Sequence, residues 1–282
     1  MGGVNGCQTL RGRIEIETLR MHMNTATSIC LSGLVLTEAQ IYRHFVVFPL
    51  RGPDAGPAPF LTLDEARLER SLIVTEVSET GSVPDLKVSN RSHRPVLLLD
   101  GEELVGARQN RVLKATILLR ELADTRIPVS CVDPPTHALH DVFKSRASDL
   151  AACNRAFVPG ARQTGLLVVV GDEVAGLDIL SHADAYAKVH PKLVRSYVID
   201  ALAHAPRRPV DLARSAAAAR EFLDDVRRCS ERVYPSVGYG TGCRYCGRAV
   251  VGAALVHNEC VVHAAFRRLR SDPDASEAHV RF

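Results

Sequence analysis

The chain contains no tryptophan. No indole is therefore present to stack on a base or to anchor an interface. It also lacks a glycine-rich phosphate loop of the P-loop or the dinucleotide-binding type, which excludes the two commonest phosphate cradles. Long apolar runs are missing too. The one near the start, Ile29 to Leu36, is broken by Ser32 and Gly33. It falls far short of a membrane span, and no basic start leads directly into an apolar core as in a secretory signal. Strong charge is absent: the net charge is +3, too mild and too scattered to argue for nucleic acid. Arginine far outnumbers lysine and alanine is abundant, which reads as coding bias before it reads as phosphate preference. These absences lead us to expect a cytoplasmic protein with no membrane and no nucleic-acid partner.

What is present is ordinary globular composition. The 282 residues are 46% hydrophobic and 24% charged, enough for one large or two modest domains. Eight cysteines occur, at 7, 30, 131, 153, 229, 243, 246 and 260. An even count suggests disulfides only in a secreted context, so reduced thiols are expected. Residues 1–28 show no sustained period, and Met21 and Met23 are alternative starts; this segment reads as a disordered or misannotated leader. Residues 29–270 read as a single domain, and 271–282 as a frayed polar tail.

Strands dominate the first half. Phe45–Leu50, Leu72–Val77, Val83–Val88, Val96–Leu99, Val112–Leu119 and Ile127–Val132 are apolar or β-branched runs bounded by turn residues. Thr62–Arg70 reads as a short helix that Thr62 caps. Asp100-Gly101 between apolar runs predicts a hairpin. The second half opens with a hairpin, Leu166–Val170 and Val174–Leu180 around Gly171-Asp172. Helical patterns over Ala183–Ala203 and Leu212–Val233 follow, and then a further hairpin, Ala249–Val256 and Cys260–Phe266. Runs of strands, then helices, then strands predict an α+β fold with one shared core, not an alternating doubly wound sheet.

The candidate chemistry centres on Pro95 to Leu119, where two apolar runs flank a dense polar insert. It carries Asp100, Glu102, Glu103, Arg108, Gln109, Asn110 and Arg111. Alternate strand residues share a face, so Glu102 and Glu103 point opposite ways, and one of them can line a cleft as acid or base. Arg108 and Arg111 offer anion-binding forks, and Gln109 and Asn110 offer amides for a polar ligand. The plain alternative is a solvated hairpin with weak surface ion pairs.

Four other places compete. Ser130-Cys131 ends a strand shortly before His137 and His140, a nucleophile arrangement if a base is near and inert core otherwise. Cys243-Arg-Tyr-Cys246 with Cys260-Val-Val-His263 is formally a four-ligand zinc spacing. On a continuous strand, however, Cys260 and His263 would face opposite sides, so no metal is assigned. Glu76 and Glu79 at a strand end could supply a carboxylate or be a polar exit. His190, Lys192, Arg195 and Tyr197 read as the solvated face of a basic helix.

Several segments carry a resemblance: VVFPL, LTLDEA, VTEVSETGSVPDLKVSNRS, PVLLLDGEELVGARQNRVL, IPVSCV, FVPGARQTGLLVVVGDEVAGLDIL, KLVRSYVIDAL, YPSVGYG and GAALVHNECVVHAAF. Over roughly Leu31 to Arg268 the chain resembles the ARG and Rhodanese-Phosphatase-superfamily-associated protein domain, where ARG stands for ADP-ribosylglycohydrolase. DGEELVGARQNR is its most specific piece. The resemblance implies a small-molecule nucleotide ligand, ADP-ribose or a related NAD-derived group, with no cofactor indicated. Within the resembling segments we expect Glu102 or Glu103 to act as acid, base or ribose-hydroxyl acceptor, and Glu76, Asp100, Arg108, Gln109, Asn110 and Arg111 to bind ligand. Glu79 and Cys131 also match.

The sequence departs from the family pattern after IPVSCV. A glycine-arginine-tryptophan-like element and a polar helical stretch usually follow there. Here Asp133 runs into Pro134-Pro135-Thr136 and soon reaches HDVFKSRASDL, so the middle portion looks deleted. The alternative reading is therefore an inactive regulatory or partner-binding module.

Overall fold

The computed structural model describes residues 23, 25–77, 85–104, 111–131, 147–202 and 209–269. They form a mixed α+β fold whose N-terminal half is rich in strands, as the patterning predicts. No helix among the described residues is long and apolar enough to cross a membrane.

The largest sheet is antiparallel and nine-stranded. Its order is β1 (Val35–Leu36), β3 (Phe45–Arg51), β12 (Gly165–Val170), β13 (Glu173–Leu180), β17 (Cys260–Arg268), β16 (Val250–His257), β15 (Thr241–Cys246) and β14 (Ser230–Pro235). The remaining strand, β2 (Gln40–Tyr42), also pairs with β3. Its central strands read as unbroken apolar runs because both faces are covered. Along β12, Leu167 and Val169 join one apolar cluster while Leu166 and Val168 join another. The first cluster packs under α1 (Thr25–Ser32) and α5 (Leu212–Arg227). The second packs under α3 (Ala147–Ala156) and α4 (Ala183–Leu202).

Two smaller sheets hold the first half. One is β10 (Ile117–Leu119), β7 (Val96–Leu98) and β4 (Leu61–Thr62), with β4 parallel to β7. The other is β5 (Leu72–Glu76), β6 (Asp85–Asn90), β11 (Asp124–Cys131), β9 (Arg111–Leu113) and β8 (Glu103–Leu104). The three-stranded sheet is the bridge between the halves. Leu97 and Leu118 face the cluster under α4, while Val96, Leu98, Ile117 and Leu119 face a third cluster with Leu86, Val88, Ile127 and Val129. The shared core thus has three parts, and this small sheet contributes to two of them.

Four expectations need correction. Asp100-Gly101 is a turn but not a hairpin turn. Glu102 N–H donates to the Leu99 carbonyl at 3.1 Å, and Gly101 has φ +81°. Asp100 is not among the positive-φ residues, so this is not the type I′ turn that closes two-residue hairpins. The chain instead passes from one small sheet to the other, since β7 pairs with β10 and β4 while β8 pairs with β9.

Val112–Leu119 is likewise two strands in two sheets, broken at Lys114-Ala115-Thr116. The helix expected over Leu212–Val233 stops at Arg227, because its apolar stripe ends at Val226 and Ser230–Pro235 joins the large sheet. Finally, the basic helix does not present His190 and Tyr197 to solvent. Both are buried, since Tyr186, His190, Leu193, Val194 and Tyr197 fall on the helical face toward the large sheet, while Arg195 is exposed. The leader expected over 1–28 lies mostly outside the described residues; its last four residues open α1, where buried Thr27 hydrogen-bonds Tyr245.

The short helix is as expected. α2 (Leu63–Leu68) starts from Thr62 in a capping box with Glu65. Thr62 Oγ1 accepts from the Glu65 N–H, and the Glu65 carboxylate accepts from the Thr62 N–H at 2.9 Å. Thr62→Ala should cost about 1 kcal/mol of unfolding free energy in urea titration. No change would show that α2 is held by packing alone.

Candidate functional site

Strand β17 carries His263, Ala265 and Arg267 at alternate positions, hence on one face. Its antiparallel register with β13 sets Leu180 opposite His263, Asp178 opposite Ala265 and Gly176 opposite Arg267. Asp178 therefore sits between His263 and Arg267 on the diagonals, within reach of long side chains. Ala265 is small enough to leave that space open. Gly176 clears the other path: a Cβ there would lie 2.7 Å from Arg267 Cδ and 2.4 Å from the Phe266 carbonyl oxygen.

Asp178 is a charge inside an apolar strand, and it is fully engaged. Oδ1 meets His263 Nε2 at 3.2 Å. Oδ2 accepts from the Tyr197 hydroxyl at 2.6 Å and pairs with Arg267 Nη1 at 3.2 Å. Arg267 also stacks over the Tyr197 ring, 4.4 Å from its centroid. Burial alone would raise the Asp178 carboxyl; the Arg267 guanidinium, His263 and Tyr197 together outweigh it and hold the group well below the usual carboxylate range.

An ionised Asp178 sets the direction of the protons beyond it. His263 Nε2 must donate to Oδ1, so in the neutral imidazole Nδ1 is left as acceptor. Nδ1 lies 2.8 Å from Thr116 Oγ1. The Thr116 hydroxyl then donates to His263 and accepts from the Asp100 N–H at 3.2 Å. Asp178 and His263 are buried, Thr116 is half-buried and Asp100 is exposed, so the string runs from the core to the surface. The Asp100 side chain faces the same groups. Burial pushes its carboxyl up, against the downward pull of His263 and Arg267.

Glu102 lies beside this string and acts on the turn. Oε2 accepts from the Leu99 N–H at 2.8 Å, and Oε1 pairs with Lys192 Nζ of α4 at 2.8 Å. Lys192 also pairs with Asp64 at 2.8 Å. Glu103 points to solvent, as the alternation of strand faces requires, while its carbonyl accepts from Arg67. Arg111 is buried on β9 opposite Cys131. Glu76 ends β5, with β6 and β11 between it and β9, a lateral gap of about 14 Å. It does not join Arg111. Glu79, Arg108, Gln109, Asn110, His137 and His140 lie outside the described residues, as does the Cys131 side chain.

The zinc spacing does not become a cluster. Cys243 is buried and Cys246 exposed on β15; Cys260 is exposed and His263 buried on β17. Among the described residues no three metal-ligating side chains gather. His190 is also accounted for. Its Nε2 meets the Phe157 carbonyl at 3.0 Å, so Nδ1 accepts from Tyr186, whose oxygen accepts from Gln163. Burial holds the imidazole below its ordinary range, against the upward pull of the Phe157 carbonyl.

Sequence reasoning missed Asp178, Thr116 and Arg267, and saw His263 only as a metal ligand. The available signal was a charge within an apolar strand, Asp178 in VAGLDIL. Such a group needs buried partners.

The model of the ARG and Rhodanese-Phosphatase-superfamily-associated Protein domain matches residues 33–134 and 132–267. The chain belongs to this family. The two matched segments meet at 132–134. Asp100, Thr116, Asp178, His263 and Arg267 all fall within family-matched segments, two in the first and three in the second. No curated protein and no solved structure matches the chain.

Asp178→Asn removes the charge that Arg267, His263 and Tyr197 share, so it should cost about 1–3 kcal/mol. The sign of the pH dependence follows from the depressed carboxyl. Its contribution is complete above the unfolded value of about 3.9 and is lost as pH falls below it. Acid unfolding of the wild type should therefore steepen below about pH 4, and the variant should lack that limb. Identical acid profiles would contradict the assignment.

Proposed function

We propose that the protein binds or processes ADP-ribose or a related NAD-derived nucleotide at the surface end of the Asp178 string. Family membership supports the ligand class, through the association with ADP-ribosylglycohydrolases that the family's name states. The observation that carries the site is the hydrogen-bonded string itself, which runs from the buried Asp178 carboxylate through His263 and Thr116 to the Asp100 N–H at the surface. Burial pushes the Asp100 carboxyl up while Asp178 is held low, so the two carboxyls differ in proton affinity, as acid and base partners do.

On this reading Asp100, not Glu102 or Glu103, is the acidic residue at the surface end of the string, where its N–H donates to Thr116. Both Glu102 oxygens are already occupied by the turn and by Lys192, which makes Glu102 a brace. Arg108, Gln109, Asn110 and Arg111 remain proposed ligand contacts. The segment that carries the first three leaves β8 and re-enters the same sheet at β9.

A second reading, a non-catalytic regulatory module, is favoured by the split in the family match at 132–134. Thermal unfolding with ADP-ribose, NAD and AMP tests the first. A ligand at a hundredfold its Kd adds about 2.7 kcal/mol, a rise of a few degrees in midpoint. ADP-ribose should give that rise, and Asp100→Asn should reduce it while leaving the ligand-free midpoint near that of the wild type. No rise with any of the three would overturn the nucleotide reading. A rise without turnover would favour the regulatory one.

A further inference from the structure

The string has a property that ligand binding alone does not require. Thr116 Oγ1 points its proton at an imidazole whose other nitrogen is locked to a buried, ionised carboxylate. Orienter, base and hydroxyl stand in order, each within hydrogen-bond reach of the next, and this is the arrangement that activates a hydroxyl as a nucleophile. Burial grades along it in the useful direction. Asp178 and His263 are shut away from water, which keeps the imidazole in one tautomer, and Thr116 is the first member that solvent reaches. The Asp100 N–H donates to the same Thr116 oxygen, where it can stabilise charge that develops as the proton leaves. Gly101 beside it leaves open space: among the described residues, its two chain neighbours apart, no atom lies within 4 Å of where a Cβ would stand.

We propose that Thr116 is the nucleophile of an ester-hydrolysing centre, with His263 as its general base and Asp178 as the residue that positions the base. This deepens the reading above, since it places the chemistry at the same surface end of the string. In the first step Thr116 Oγ1 bonds to the acyl carbon of an ester. His263 Nδ1 takes the hydroxyl proton, the ester carbon–oxygen bond breaks, and the departing alkoxide takes that proton from His263. In the second step water attacks the acyl-threonine and gives its proton to His263. The carboxylic acid leaves, and the proton returns to Thr116. Water is the only co-reactant. The substrate class is an O-acyl ester, and on a nucleotide ligand the acylated group would be a ribose hydroxyl.

An alkyl fluorophosphonate tests the first step alone. Thr116 oxygen would bond to phosphorus, the phosphorus–fluorine bond would break, and the proton would leave through His263 with fluoride. Full-length protein should take up one adduct, which peptide mass spectrometry should place on Thr116. Thr116→Val, close in shape, should remove the adduct, and Thr116→Ser should restore it. His263→Gln should slow labelling by about 10²–10⁴-fold. A structural role for the threonine would give no adduct. Folded wild-type protein that takes no label, or takes it elsewhere, would overturn the proposal. Should the variants unfold, the position of the wild-type adduct still decides. The two readings fail separately: a midpoint rise with ADP-ribose but no label ends the nucleophile, and a label on Thr116 without any nucleotide effect ends the nucleotide.

Discussion

One carboxylate organises the middle of this molecule. Asp178 lies in a strand whose neighbours are apolar, and an unpaired charge there would cost several kcal/mol. The strand register answers that cost. Ala265 is opposite, so the carboxylate reaches diagonally to His263 and Arg267 at once, and Tyr197 comes down from α4 to meet it. These contacts align β13, β17 and α4, and they leave His263 with one nitrogen facing outward.

That outward nitrogen ties the two halves of the chain together. Thr116 belongs to the break between β9 and β10, far from His263 in sequence, and the hydrogen bond between them crosses from the first half to the second. The turn at Leu99–Glu102 is fixed to the same region twice. Glu102 braces it against Lys192 of α4, and the Asp100 N–H rests on Thr116. The polar insert is thus held by the second half of the chain as well as by its own strands. Its acidic residues divide their tasks accordingly: Glu102 braces, Glu103 faces water, and Asp100 looks inward at charged groups.

Much of the architecture could be read from pattern. Continuous apolar runs marked β3, β12, β13, β16 and β17, and Thr62 with Glu65 marked α2 by capping chemistry that is local. The turn at Asp100-Gly101 was visible, but its partners were not. Which strands pair across a turn depends on backbone dihedrals and distant packing, and a dipeptide encodes neither. Ser230–Val233 reads as the end of a helix because its neighbours are strong helix formers; sheet pairing of Ser230–Pro235 with β15 overrides that preference. The site was the least legible part. Asp178, Thr116 and His263 are separated by 62 and 85 residues along the chain, and no spacing rule joins them. A lone aspartate in an apolar strand announces only that partners must exist.

The account turns on which nitrogen of His263 carries the proton. An ionised Asp178 demands Nε2–H, and only then does Nδ1 accept from Thr116 and make that hydroxyl available for chemistry. Long-range ¹H–¹⁵N correlation of the histidine side chains at neutral pH measures this directly. In the neutral ring the structure predicts the proton on Nε2 and none on Nδ1 of His263, with the preference weakened in Asp178→Asn. A neutral ring protonated at Nδ1 would contradict it.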